Sequence, residues 1–175
     1  MRRLRNEEGF GLLELMMAMV LLNVGILAMV AAINSGVVSL ARSSHISTAA
    51  TIADQQMELY RGLTYGCIYL GATGTTSNWT GDTTFNTGTM VTSSQTTCST
   101  TPPANATTAA RSMLGPDHHK YEVDTYIILC VAATAPCNTP AGSRNELRVS
   151  IAVHDGNTGY VWAREQSTFD QSTGS

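Results

Sequence analysis

The sequence predicts an α+β protein: a long N-terminal α-helix, membrane-spanning in its first half, packed on a small antiparallel β-sheet head. Three observations carry this. An almost uncharged apolar run begins at Phe10. An amphipathic pattern of three- and four-residue steps follows it to Leu63. Near the C-terminus, apolar and polar residues alternate on either side of strong turn chemistry.

From Phe10 to Ile33, 24 residues, the only formal charge is Glu14 and the only strongly polar side chain is Asn23. A helix of that length spans about 36 Å, against about 30 Å for a hydrocarbon core. A buried core helix is the bland alternative, but so small a domain cannot wrap a helix apolar on all sides. Arg2, Arg3 and Arg5 precede the run, and few charges follow it before Arg42. The positive-inside rule places the N-terminus in the cytoplasm and the remainder outside. The apolar region is too long for an ordinary cleaved secretory signal, and no small-x-small site follows it. A retained single-pass anchor is expected. An ionised carboxylate within such a span is costly and ordinarily has a specific partner. A place near the headgroups, favoured by the helix dipole, is the simpler reading of Glu14.

Beyond the anchor the pattern resumes at Val37, Leu40 and Ala41, then at Ala49, Ile52, Ala53, Gln56, Leu59, Tyr60 and Leu63. The opposite face carries Arg42, Ser43, Asp54, Gln55, Glu58 and Arg61. The helix is expected as a membrane segment over 10–33 and an amphipathic continuation over 34–63. Gly25 and Asn34-Ser35-Gly36 are its weak points.

Residues 64–175 form the head. From 71 to 112 the composition turns to Thr, Ser, Gly, Asn and Ala, with Trp79, Phe85, Met90 and Val91 as its large apolar residues. A variable surface loop is expected there, broken at Pro102-Pro103. An antiparallel sheet is expected over 121–168. Tyr121, Val123, Thr125 and Ile127 alternate with Glu122, Asp124 and Tyr126. Leu147, Val149, Ile151 and Val153 form a second run, and Tyr160–Arg164 a third. Asp155-Gly156-Asn157-Thr158-Gly159 is the turn between the last two.

Cys67, Cys98, Cys130 and Cys137 all lie beyond the anchor. Their even number there suggests two disulfides in an oxidising compartment. Three pairings are open. Cys67 with Cys98 and Cys130 with Cys137 is preferred, since each closes a local loop. The spacing is not Cys-x-x-Cys, which argues against zinc.

The formal charge of −3 argues against broad nucleic-acid binding. The head's basic residues are Arg111, Lys120, Arg144, Arg148 and Arg164. They would support at most weak, salt-sensitive contact with DNA. His118-His119 and His154-Asp155 read as turns. Trp162 reads as packed in the sheet, though a ligand-facing ring is the alternative. No Ser-His-Asp spacing, phosphate loop or nucleotide fingerprint is present. The expectation is no enzyme, no cofactor and no metal.

A basic leader ending in Gly9, then Phe10, then Glu14 as the fifth residue from Phe10, then a long apolar helix resembles the class III signal of type IV pilins and pseudopilins. The resemblance implies a 1–9 leader cut by prepilin peptidase between Gly9 and Phe10, with methylation of the new N-terminus. It also implies that Glu14 pairs with the Phe10 amine of a neighbouring subunit and sets axial register. The run from Ala49 to Arg61, with Gln56-Met57-Glu58, is similar to minor pilins of the PilV type and to type II secretion pseudopilins. Implied partners are other pilin subunits, prepilin peptidase and an inner-membrane assembly platform. The implied location is the bacterial inner membrane, then a pilus at the cell surface serving adhesion or motility. A DNA-uptake or adhesive pilin is the alternative from another class. Departures are Gly11 where Thr is commoner, Glu7-Glu8 before the cut, and no proline between Phe10 and Ile33. The head also lacks the acidic cluster that binds calcium in some pseudopilins.

Overall fold

The computed structural model describes residues 11–71, 90–94, 96–130 and 145–171. The chain forms two compact units, Met1–Ser43 and Ser44–Ser175. Helix α1, Leu12–Arg61, contributes residues to both.

In the first unit the described chain is helical from Leu12 onward. Leu, Met and Ala dominate it and are strong helix formers. Gly25 and Asn34-Ser35-Gly36 stay helical. A helical glycine costs only about 1 kcal/mol against alanine, which the long run of Leu, Met and Ala around these positions offsets.

The second unit joins the rest of α1 to a 3₁₀ turn (Tyr65–Cys67), a one-turn helix α2 (Ala104–Thr107) and strands β1 (Ala110–Leu114), β2 (Lys120–Cys130), β3 (Glu146–Asp155) and β4 (Val161–Asp170). The strands form an antiparallel meander in the order β1-β2-β3-β4. The register sets Val123 opposite Val153, Thr125 opposite Ile151 and Ile127 opposite Val149. These residues form one buried face of the sheet. Ala49, Ile52, Ala53, Met57 and Tyr60 of α1 pack into the same core, with Ile68, Leu70, Tyr121 and Leu147. From Ala49 on, the helical stripe agrees with the sequence periodicity and adds Met57; Leu59 and Leu63 are only half-buried, and Val37, Leu40 and Ala41, expected on the same stripe, are exposed.

Two polar tips close the helix–loop contact. Tyr60 Oη donates to the Ala106 carbonyl at 2.8 Å, and Gln56 Nε2 donates to the Asn105 carbonyl at 2.7 Å. Both acceptors lie in α2, so the short helix is tied to α1 by hydrogen bonds as well as by buried Ala106.

The loop expected over 71–112 is only partly irregular. It contains α2 and the start of β1, and Met90 bridges to Ile128. Val91 is buried, and its amide donates to the Ile127 carbonyl at 2.8 Å. Trp79 and Phe85 lie outside the described residues. A second difference concerns β2. Its alternation predicts one exposed face, yet Asp124, Tyr126 and Ile128 are buried as well. Both faces are therefore covered along the middle of the strand, as in a central strand between layers. Strand β4 runs on to Asp170, well beyond the stretch Tyr160–Arg164 that marks it in the sequence.

Candidate functional site

At the start of α1 the Gly11 carbonyl accepts the Glu14 amide at 2.9 Å and the Leu15 amide at 3.2 Å. Glu14 thus sits in the first turn, where the unpaired amides and the helix dipole favour a carboxylate. Gly9 and Phe10 lie outside the described residues.

The helix surface after Glu14 is apolar and open. Leu12, Leu13, Leu21, Leu22, Leu27 and Met29 are all about two-thirds exposed or more, at 65–78%. Water does not favour so large a contiguous apolar surface, so the segment requires lipid or other helices around it. Asn23 does not contradict this, because its Nδ2 donates to the Met19 carbonyl at 3.0 Å. That bond lowers the cost of taking an amide into an apolar medium. Among the described residues, α1 is the one helix long and apolar enough to cross a membrane.

Residues 4–30 match the model of the prokaryotic N-terminal methylation motif. The match supports a type IV pilin-like protein. No curated protein and no solved structure gives a significant match. The motif implies processing by prepilin peptidase and assembly with other pilins. Motif and exposed apolar helix together fit membrane anchoring before assembly. Proteins with this motif are structural subunits rather than enzymes.

The second unit holds two polar clusters that the sequence did not reveal. The first joins α1 to the two turns at one end of the sheet. Nδ1 of His45 lies 2.8 Å from Oδ2 of Asp117 and 3.1 Å from Oη of Tyr121. Tyr121 Oη donates to the same Asp117 oxygen at 2.7 Å, and the His119 amide donates to Oδ1 at 3.2 Å. The His119 ring lies 4.6 Å from the His45 ring, tilted 43° to it, and its Nε2 lies 3.0 Å from Oδ2 of Asp155. Burial pulls the Asp117 carboxyl upward, but the bonds from Tyr121, His119 and His45 outweigh it and hold the pKa below its ordinary value. Burial, then the Asp117 bond and charge, pushes the Tyr121 phenol up.

Local backbone chemistry positions these groups. A Cβ at Gly115 would stand 2.5 Å from Asp117 Oδ1 and 2.6 Å from the Tyr121 ring, so the turn needs glycine there. His118 takes a left-handed conformation, φ 58°, which aims His119 back at the sheet. Asp155 Oδ1 accepts the Asn157 and Thr158 amides at 2.7 and 3.0 Å, and Gly159 closes the turn at φ 70°. In β4, Ala163 pairs with Val153 and Val161 with His154, which leaves Trp162 as the extra residue of a bulge. The bulge brings the Trp162 ring within 5.4 Å of the His45 ring. The sequence signals for this cluster were the two turns. Nothing local linked either turn to His45.

The second cluster is on β2 and β3. His154 is 2% exposed, with Nε2 3.0 Å from Asp124 Oδ2 and 3.8 Å from Glu122 Oε2. Its Nδ1 faces the Asp155 carbonyl at 3.4 Å.

Cys67 and Cys98 are disulfide-bonded, with Cα atoms 4.9 Å apart. Cys130 is buried and is not free. Cys137 lies outside the described residues, as does Arg144. The other basic residues of the head make no open patch. Arg111 Nη2 reaches Gln56 Oε1 at 3.4 Å, and Lys120 pairs with Glu122 at 3.2 Å. Arg148 and Arg164 have partners too. Among the described residues, no three His, Cys, Asp or Glu side chains converge on a metal position.

Proposed function

We propose that this chain is a minor pilin of a type IV pilus. It is cut between Gly9 and Phe10, methylated on the Phe10 amine and assembled through 10–33 into the filament or its priming complex. The observation that carries this reading is the methylation-motif match over residues 4–30, joined to an apolar helix with Glu14 in its first turn. The amphipathic 34–63 segment then presents the head, 64–175.

The physical argument rests on Glu14. Cleavage creates a cationic amine on Phe10. Each charge alone is costly in a dry helical bundle, and the two together cost less. A pair formed between neighbouring subunits also fixes their axial register, as a buried polar residue does in a coiled coil. The methionines Met16, Met17, Met19 and Met29 suit a surface that leaves lipid and repacks against other helices.

N-terminal sequencing with mass spectrometry on sheared surface filaments tests the proposal. The expected product is a chain beginning at N-methylated Phe10 in the filament fraction. A chain that keeps residues 1–9 and stays in the membrane fraction overturns it. Processed Phe10 found only in a periplasm-spanning complex assigns the subunit to a secretion pseudopilus instead.

A further inference from the structure

The second unit buries a histidine whose surroundings belong neither to the anchor nor to the core. Both ring nitrogens of His154 face oxygen acceptors. Nε2 lies between Asp124 Oδ2 at 3.0 Å and Glu122 Oε2 at 3.8 Å. Nδ1 points at the Asp155 carbonyl at 3.4 Å. A neutral imidazole has one N–H and one lone pair, so either tautomer would set a lone pair against an acceptor. Only the imidazolium donates on both sides. The neighbouring carboxylate needs that charge, because Asp124 is itself 2% exposed and a buried unpaired charge is expensive.

We propose that His154 is carried as a buried imidazolium clamped between β2 and β3, and that loss of its proton is a built-in switch that loosens the head as pH rises past the ordinary histidine range. Among the described residues, the charged groups around it are Asp124 and Glu122 on β2, with Lys120 behind Glu122 at 3.2 Å. From β4 its register partner is the uncharged Val161, and Arg164 stands opposite Ala152, two residues along the same face of β3. The direction of the proton equilibrium agrees. Burial favours the neutral ring, but the Asp124 bond and charge, the Asp155 carbonyl and the Glu122 charge outweigh it and raise the pKa.

The sign follows from linkage. The folded state holds the proton to higher pH than the unfolded chain does. The stabilisation is therefore full below about pH 6.5, the ordinary histidine value, and is lost as pH rises through the raised value. Across that window the unfolding equilibrium constant grows by up to about tenfold per pH unit.

Two readouts on the full chain in detergent micelles test this. Nitrogen-15 NMR of the His154 ring at pH 6.5, where an ordinary histidine is half neutral, is expected to show both nitrogens protonated. A neutral tautomer at that pH overturns the proposal. Denaturant unfolding from pH 6 to pH 9 is expected to show the alkaline loss in the native chain and a flatter profile in Asp124→Asn, where the buried charge is gone. An equal slope in both chains overturns the proposal. His154→Gln is a second variant with the same expected flattening, and the NMR readout needs no variant to fold.

Discussion

Nδ1 of His45 and Oδ2 of Asp117 meet at 2.8 Å across 72 residues of sequence. The contact fastens α1 to the turn between β1 and β2. It works because Gly115 leaves room for Asp117 and because Tyr121 donates to the same oxygen.

Removing the carboxylate charge should weaken this fastening. Asp117→Asn is expected to cost about 1–3 kcal/mol, since bonds to a charged acceptor become weaker and one donor is misplaced. The lowered Asp117 pKa sets the pH sign. Its contribution is present above the ordinary carboxylate value of about 3.9 and is lost as pH falls through the lowered one. Denaturant midpoints of the full chain should fall as pH drops from about 4 toward 2 for the native chain, and less for Asp117→Asn.

The turn glycine is testable by itself. Gly115→Val is expected to destabilise by more than 1 kcal/mol, because the new Cβ would meet Asp117 and the Tyr121 ring. Thermal unfolding followed by Trp fluorescence reads the loss. A midpoint equal to the native one would remove the steric argument.

Met57 is fully buried where α1 faces the sheet. Met57→Ala should cost about 2–5 kcal/mol, from lost transfer energy and the cavity left behind. A shift in denaturant midpoint with an unchanged slope is the expected signature.

The Cys67–Cys98 bond spans 31 residues. Loop-closure entropy for that separation amounts to about 3–4 kcal/mol. Cys67→Ser with Cys98→Ser should lower stability by about that amount, and reduction of the native chain should cost at least as much, because Cys130 is not free either. Unfolding with and without reductant measures it.

Glu14→Leu separates insertion from assembly. The added leucine extends the apolar run, so membrane insertion should be retained while incorporation into filaments is lost. Immunoblots of membrane and sheared-filament fractions distinguish the two. Equal incorporation of the variant would remove the pairing argument.

The long apolar helix and the buried stripe from Ala49 to Tyr60 were legible because their signals are local. Ala49, Ile52, Ala53, Gln56 and Tyr60 repeat at helical spacing and are buried. The apolar runs of β2 and β3 were legible for the same reason. β1 was not, since Ala110-Arg111-Ser112-Met113-Leu114 has little strand character and pairs only because β2 offers it an edge. The buried Asp124 broke the alternation rule because its partner, His154, comes from the next strand, 30 residues on. The His45 cluster was hidden for a similar reason. Its members come from a helix, a turn and a bulge, and only the tertiary fold makes them neighbours. In the N-terminal segment, by contrast, the recognised elements are contiguous in sequence, and residues 4–30 suffice for the motif match.

The meander order has a consequence for biosynthesis. Each strand pairs with the next one in the chain, so the sheet can grow as it is delivered. The helical stripe from Ala49 to Tyr60 has no such neighbour. It is made first, yet the strands that bury it run from Lys120 to Asp170. Until those residues are synthesised, Ile52, Met57 and Tyr60 have no sheet to dock on. A ribosome stalled before β3 would leave this stripe open to proteases and to other nascent chains.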